Sequence, residues 1–238
     1  MPGFPLTRHS VLERIRSADA GARREAFGDL VTGYWKPLYK YLRIHWHLPD
    51  ADAQELTQAF FSEAYQKEWL ARYEPAKARF RTFVRLCADR FVMNARQAAS
   101  RVKRGGEVDT VSLDFPGAEA EMALGQLTVA PDAEAFFHRE FVRALFDRAI
   151  AEVRAEYTAS GRQVHLALFE RYDLDPADGV SYGALAAEFG LTPAQVTNYL
   201  AQIRRSFREH ALAALRAWSG SDDEFRREAR DLFGVEIE

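Results

Sequence analysis

Apolar residues recur at three- and four-residue spacings along most of this chain, and that rhythm predicts helices rather than strands. Val11, Leu12 and Ile15 follow Ser10, a residue suited to capping a short helix. A long stripe then runs through Phe27, Leu30, Val31, Tyr34, Leu38 and Leu42, with Pro37 as an expected kink. Asp50 is placed to cap a third helix, which carries Ala53, Leu56, Phe60 and Ala64 on one face until Tyr73-Glu74-Pro75 interrupts it. A fourth helix is expected from Phe80 to about Arg101, ended by Gly105-Gly106.

The rhythm fails between 107 and 132, where Pro116, Gly117, Gly125 and Pro131 sit among acids and small residues, so this stretch reads as a flexible linker. It resumes with Phe137, Phe141, Leu145, Ala149 and Val153, then Val164, Leu166, Leu168 and Phe169. A loop is expected over 173–179, and two further helices over 181–189 and about 193–217. The tail, 219–238, is acidic but sets Phe225, Leu232 and Phe233 at helical spacing. The expectation is an all-α chain with one helical domain at 1–106, the acidic linker at 107–132, a second helical domain at 133–217 and an extension at 218–238.

Composition changes this picture little: 238 residues, 47% hydrophobic and 28% charged, are ordinary for a globular protein and long enough for two small cores. No apolar run reaches the roughly 18 residues that span a bilayer, and the first twenty residues lack the apolar middle of a secretion signal. The single cysteine, Cys87, excludes an internal disulfide and is expected to be a buried structural thiol in a cytoplasmic protein.

Charge changes it more. The net charge is only −3, but residues 71–104 hold ten Lys or Arg against two acids, whereas residues 105–140 hold eight acids and one Arg. Fields act over about 10 Å in physiological salt, so this segregation outweighs the sum.

The segment 181–200 has the pattern of a helix-turn-helix. Leu185, Ala186, Phe189, Val196 and Leu200 supply the contacts of two crossing helices, Gly190 supplies the turn, and Thr192 and Pro193 open the second helix. That helix would turn Gln195, Thr197, Asn198, Gln202 and Arg204 toward the major groove, where amides read adenine and a good pair contributes about 1–3 kcal/mol of discrimination. Arg204, Arg205 and Arg208 suit phosphates. An ordinary helical pair with a Gly-Pro turn fits the same residues.

Residues 80–104 interleave cations with Phe and Met. Arg81, Arg85, Arg90, Arg96, Arg101, Lys103 and Arg104 are left for a polar face on which Asp89 is the sole acid, a surface suited to single-stranded DNA. The alternative is a solvated basic face.

With both segments in view, the chain resembles sigma factors of the extracytoplasmic-function (ECF) type. Asp52-Ala-Gln-Glu-Leu-Thr-Gln58 with Phe60-Phe61 looks like the acidic helix of their region two, 80–104 like its strand-opening part, and 181–200 like the helix-turn-helix of region four. The phrases Thr7-Arg-His-Ser-Val-Leu and Lys103-Arg-Gly-Gly106…Val111-Ser-Leu-Asp114 look like a longer subgroup with a C-terminal extension.

The resemblance implies binding to core RNA polymerase, through the β′ clamp helices at Asp52, Glu55 and Gln58 and through the β flap at region four. It implies reading of the promoter minus-ten element by the basic residues named above, and of the minus-thirty-five element by Gln195, Thr197, Asn198, Gln202, Arg204 and Arg205. Arg90 stands where the family's base pocket usually has asparagine, and Gln54 and Ala59 stand where carboxylates are frequent. Thr57 lies in that charge-poor helix, where a Ser/Thr kinase adding about −1.5 to −2 charges would restore pairing to the clamp, while its place near the flank of the apolar face equally fits a partly buried structural residue. An anti-sigma factor is another partner that the family implies.

Nothing in the pattern points to catalysis, a metal or a cofactor. His45 and His47 are two apart and fall on different faces of a helix, and Gly105-Gly106 lacks the framing of a phosphate loop. The competing functional classes are a stand-alone helix-turn-helix repressor or activator, and an interaction module held by a kinase or anti-sigma partner.

Overall fold

The computed structural model describes residues 11–99, 113–123, 132–176 and 180–237. Among them every regular element is helical: α1 (Val11–Ile15), α2 (Ala20–Ile44), α3 (Asp50–Gln66), α4 (Phe80–Ala99), α5 (Phe115–Ala123), α6 (Ala133–Ala159), α7 (Gln163–Phe169), α8 (Tyr182–Phe189), α9 (Pro193–Trp218) and α10 (Asp222–Phe233). A 3₁₀ turn, Trp69–Arg72, precedes α4, and a widened π turn, Glu170–Leu174, extends α7. The all-α expectation holds. The expected ending of the fourth helix at Gly105-Gly106, the cap Ser10 and the motif flanks Thr7 and Lys103 to Ser112 lie outside the described residues.

The chain forms two compact units, Met1–Ala144 with Leu215–Glu238, and Leu145–Ala214. These do not follow the expected cuts at 132 and 217: the first half of α6, the end of α9 and all of α10 pack with the N-terminal half.

In the first unit, α2 is the central element. Leu30, Tyr34, Leu38 and Tyr41 are fully buried, and Pro37 sits within the helix without ending it. The Tyr34 ring packs 5.7 Å from Phe80 and 5.3 Å from Phe141, and its hydroxyl donates to the Trp218 carbonyl at 3.1 Å. Trp218 can lie flat against α2 because residue 33 is glycine: a Cβ there would fall 2.4 Å from the indole. Each large side chain buried this way contributes about 1.5–3 kcal/mol.

Two local expectations are corrected. Asp50 does not cap α3; its Oδ1 accepts from Tyr39 Oη at 2.5 Å and Gln54 Nε2 at 2.7 Å, while Pro49 occupies the cap position. The supposed flexible linker contains α5. Asp114 Oδ1 accepts the Gly117 N–H at 3.0 Å, and Pro116 falls in the first turn, where a missing donor is no loss. Phe115 then packs against Trp35 and Tyr39, and the acids of α5 meet the cations of α2. Glu119 takes Arg43 at 2.6 and 3.1 Å, and Glu121 takes Lys36 and Lys40 at 2.6 Å each. Lys40, itself fully buried, also reaches Glu140 at 2.9 Å.

The acidic tail is helical, as the spacing of Phe225, Leu232 and Phe233 predicts. Helix α10, capped by Ser221, buries Phe225, Ala229, Glu224 and Glu228 within the first unit.

In the second unit, Val153 and Tyr157 of α6, Leu168 and Phe169 of α7, Leu185 and Ala186 of α8, and Val196, Leu200 and Ile203 of α9 make one core. Glu156 ties α6 to α9, with Oε2 accepting from Ser206 Oγ at 2.5 Å and lying 3.0 Å from His210 Nε2, while Oε1 takes Arg162 at 2.6 Å. Burial alone would raise its carboxyl, but these hydrogen bonds hold it below the ordinary range.

Candidate nucleic-acid interface

The helix-turn-helix is assembled in the second unit from local signals. Ser181 Oγ accepts the Ala184 N–H at 3.2 Å and starts α8. Gly190 takes the left-handed conformation, φ 66°, and its N–H returns to the Ala186 carbonyl, so α8 stops there. Helix α9 opens with a reciprocal capping box: Thr192 Oγ1 accepts the Gln195 N–H at 3.2 Å, and Gln195 Oε1 accepts the Thr192 N–H at 2.8 Å. Gln195, expected to read a base, thus spends its carboxamide oxygen on the helix start.

The exposed face of α9 carries Thr197, Asn198, Ala201, Gln202, Arg205 and Arg208. Their spacing places them along one side of the helix. The Thr197 hydroxyl donates to the Pro193 carbonyl at 2.9 Å and keeps an acceptor outward. Gln202 Oε1 lies 3.2 Å from His165 Nε2, whose ring stacks on Tyr199 at 3.9 Å. Burial lowers the His165 pKa, so the neutral ring with Nε2–H donating fits this contact, leaving the Gln202 amide N–H group for a base edge.

Arg204 departs from expectation. It forks onto Asp173 at 2.8 and 3.0 Å, also reaches Tyr182 Oη at 3.2 Å, and lies 5.4 Å from the centre of the Tyr172 ring. The Asp173 bond raises its pKa further, and its charge is spent inside the unit rather than on DNA. Asp173 was read only as the start of a loop, and no local signal marked it as this partner. Arg205 and Arg208 remain exposed.

In the first unit, α3 presents Asp52, Glu55 and Gln58 together on its exposed side, and among the described residues neither acid forms an ion pair. Thr57 lies on the opposite side. It is fully buried and donates its hydroxyl to the Ala53 carbonyl at 2.7 Å. The expected phosphorylation site is thus closed to an enzyme while α3 is docked.

The basic face expected on α4 is broken up. Arg81 is buried against Glu228 of α10. Arg85 donates to Asp89 at 2.8 Å and Glu134 at 2.9 Å. Arg96 lies over the Trp46 ring at 4.9 Å and donates to its carbonyl at 3.0 Å. These pairings arise because Glu134 and Glu228 come from elements remote in sequence. Arg90 is exposed, close in the helix to the exposed apolar residues Leu86 and Met93. Arg101, Lys103 and Arg104 lie outside the described residues. Cys87 is half-buried, and burial pushes its thiol up to about 11, the reverse of an activated nucleophile.

Among the described residues, no group of three or more His, Cys, Asp or Glu is placed to hold a metal ion. No described helix is long and apolar enough to cross a membrane. No protein-family model matches the chain, and no match is found among the curated proteins or the solved structures.

Proposed function

We propose that the protein is a promoter-recognition subunit of bacterial RNA polymerase, of the ECF sigma kind, acting as a binding factor and not as an enzyme. The observation that carries the reading is the α8–α9 helix-turn-helix, whose second helix turns Thr197, Asn198, Gln202 and Arg205 outward along one face. The unpaired acids Asp52 and Glu55 beside Gln58 support it further, since they form a surface suited to a basic helix of the polymerase clamp. In this reading α9 enters the major groove at the minus-thirty-five element, Asn198 and the Gln202 amide read base edges, and Arg205 and Arg208 hold phosphates. Two such contacts on one chain raise the effective concentration of each for the polymerase–promoter complex.

Run-off transcription with purified core polymerase on genomic fragments tests this. Specific start sites that require the protein, and that weaken when Asn198→Ala or Arg205→Ala replaces it, are expected. Their absence overturns the proposal.

One observation favours a second reading. With Arg81 and Arg85 engaged internally, the described residues offer a duplex reader while two of the cations expected to meet melted DNA are paired within the protein. A stand-alone repressor or activator needs no more than that. It would bind its operator tightly without polymerase, which a gel-shift titration separates from the sigma reading.

A further inference from the structure

Helix α10 places two acids where an external anion would otherwise sit. Glu224 Oε1 accepts the Phe80 N–H at 2.7 Å, the first amide of α4, and Oε2 takes the Gly220 N–H at 3.1 Å and Tyr73 Oη at 3.2 Å. Unpaired amides and the positive end of the helix dipole make such a helix start attractive to negative charge. Glu228 Oε1 contacts Arg81 and lies 2.7 Å from Arg79 NH1, with Asp231 3.4 Å from Arg79 on the outside.

More than a helix end is present. Arg81 is 6% exposed, yet its Nε has no hydrogen-bond partner, and the buried Oε2 of Glu228 has none either. Glu228 meets Arg81 at Nη1, off the side edge that Nε shares with Nη2, so the Nε donor is left without a partner. A phosphodiester offers two unesterified oxygens, which match Nε and NH together. The acids of α10 are also poorly solvated occupants: burial raises the Glu224 carboxyl above its ordinary value despite three hydrogen bonds. The helix is held in place by Phe225 and Ala229, and by close approach at Gly220, where a Cβ would fall 2.5 Å from the Tyr73 ring.

We infer that the amino end of α4, with Arg79 and Arg81, is a binding site for a backbone phosphate of single-stranded DNA, and that α10 occupies it with Glu224 and Glu228 in the free protein. The choice of ligand rests on the promoter-recognition reading above. Single-stranded DNA is favoured over a small anion because the half-buried ring of Phe83 stands 5.4 Å from Tyr73, whose hydroxyl meets Glu224, so aromatic surface lies beside the two arginines. Apolar and cationic surface of this kind holds unstacked bases. Release of α10 would convert a closed, internally paired segment into an open cationic one without any change in the helices themselves.

The test is fluorescence anisotropy of the full-length protein with a labelled oligothymidylate. Glu224→Gln with Glu228→Gln should tighten binding about tenfold at low salt, and should steepen the log–log salt slope by about 0.7, the value for one more single-strand phosphate contact. Adding Arg79→Gln with Arg81→Gln should abolish the gain. Phe225→Ala, which loosens α10 with no change in charge, should give a gain of the same sign. A charge-matched control far along the chain, Glu152→Gln with Glu188→Gln, should not.

An unchanged affinity in the folded α10 variants overturns the inference, as does a gain that survives loss of both arginines. Hydrogen exchange of the wild type needs no variant: saturating oligothymidylate should speed exchange across α10, and unchanged exchange with DNA bound counts against the site. Run-off transcription tests the promoter reading separately, so its failure beside an intact binding gain removes the polymerase and leaves the phosphate site standing.

Discussion

Individual positions divide sharply between those that hold the fold and those left to meet a partner. Thr57 belongs to the first group, because its hydroxyl is spent on the Ala53 carbonyl in a fully buried setting. Thr57→Ala should lower stability by about 1 kcal/mol through that hydrogen bond, whereas Thr57→Glu should cost about 3–5 kcal/mol by placing an unpaired charge in the core. Thermal melts of the two variants check the contrast, and equal melting temperatures would contradict the burial. Arg204 and Arg205, adjacent in sequence, should separate in the same way. Arg205→Ala should shallow the salt dependence of duplex binding by about 0.9, while Arg204→Ala should leave that slope alone and lower stability, since it breaks the fork to Asp173. Paired salt titrations and melts distinguish them.

At the scale of elements, the helices were legible in the sequence wherever an apolar stripe and a capping residue coincided. Segments α8 and α9 fell within a residue or so of expectation because Ser181, Gly190 and Thr192 act on their nearest neighbours. Helix α5 was missed because Pro116 and Gly117 read as breakers, although both fall in a first turn where proline is harmless and Asp114 takes the glycine amide. The fate of the α4 cations was illegible for a different reason. Arg85 meets Glu134, and Arg81 meets Glu228, across long stretches of chain, and no local pattern records such a meeting. The docking of α5 has a testable pH signature. Burial alone would raise Glu121, yet hydrogen bonds from Lys36 and Lys40 hold its carboxyl below the ordinary glutamate range; Glu119, bound chiefly by Arg43, is lowered as well. A lowered folded-state value means stability that is present above the unfolded pKa and lost as pH falls through the folded one. Glu121→Gln should therefore lower the melting temperature at neutral pH, with the deficit closing as pH falls through the lowered carboxyl value. Melts across pH would show it, and a constant deficit would refute the assignment.

For the molecule as a whole, the first unit is built from both ends of the chain. Trp218 rests on Gly33, and Glu224 closes the start of α4, so residues 215–238 are structural parts of the N-terminal half. Deleting 215–238 should cost the first unit far more than a dispensable tail would: loss of buried Trp218 and Phe225 alone removes about 3 kcal/mol or more. Calorimetry of the truncated chain should show that unit's transition shifted or absent, and an unchanged trace would contradict the packing. The same interleaving bears on biosynthesis. The middle unit, Leu145–Ala214, is complete as soon as its own segment has emerged from the ribosome. The amino-terminal half, though made first, must wait for the final helix, a delay of roughly ten seconds at ordinary elongation rates. Through that interval Gly33 and the neighbouring face of α2 lack the indole that covers them in the finished fold.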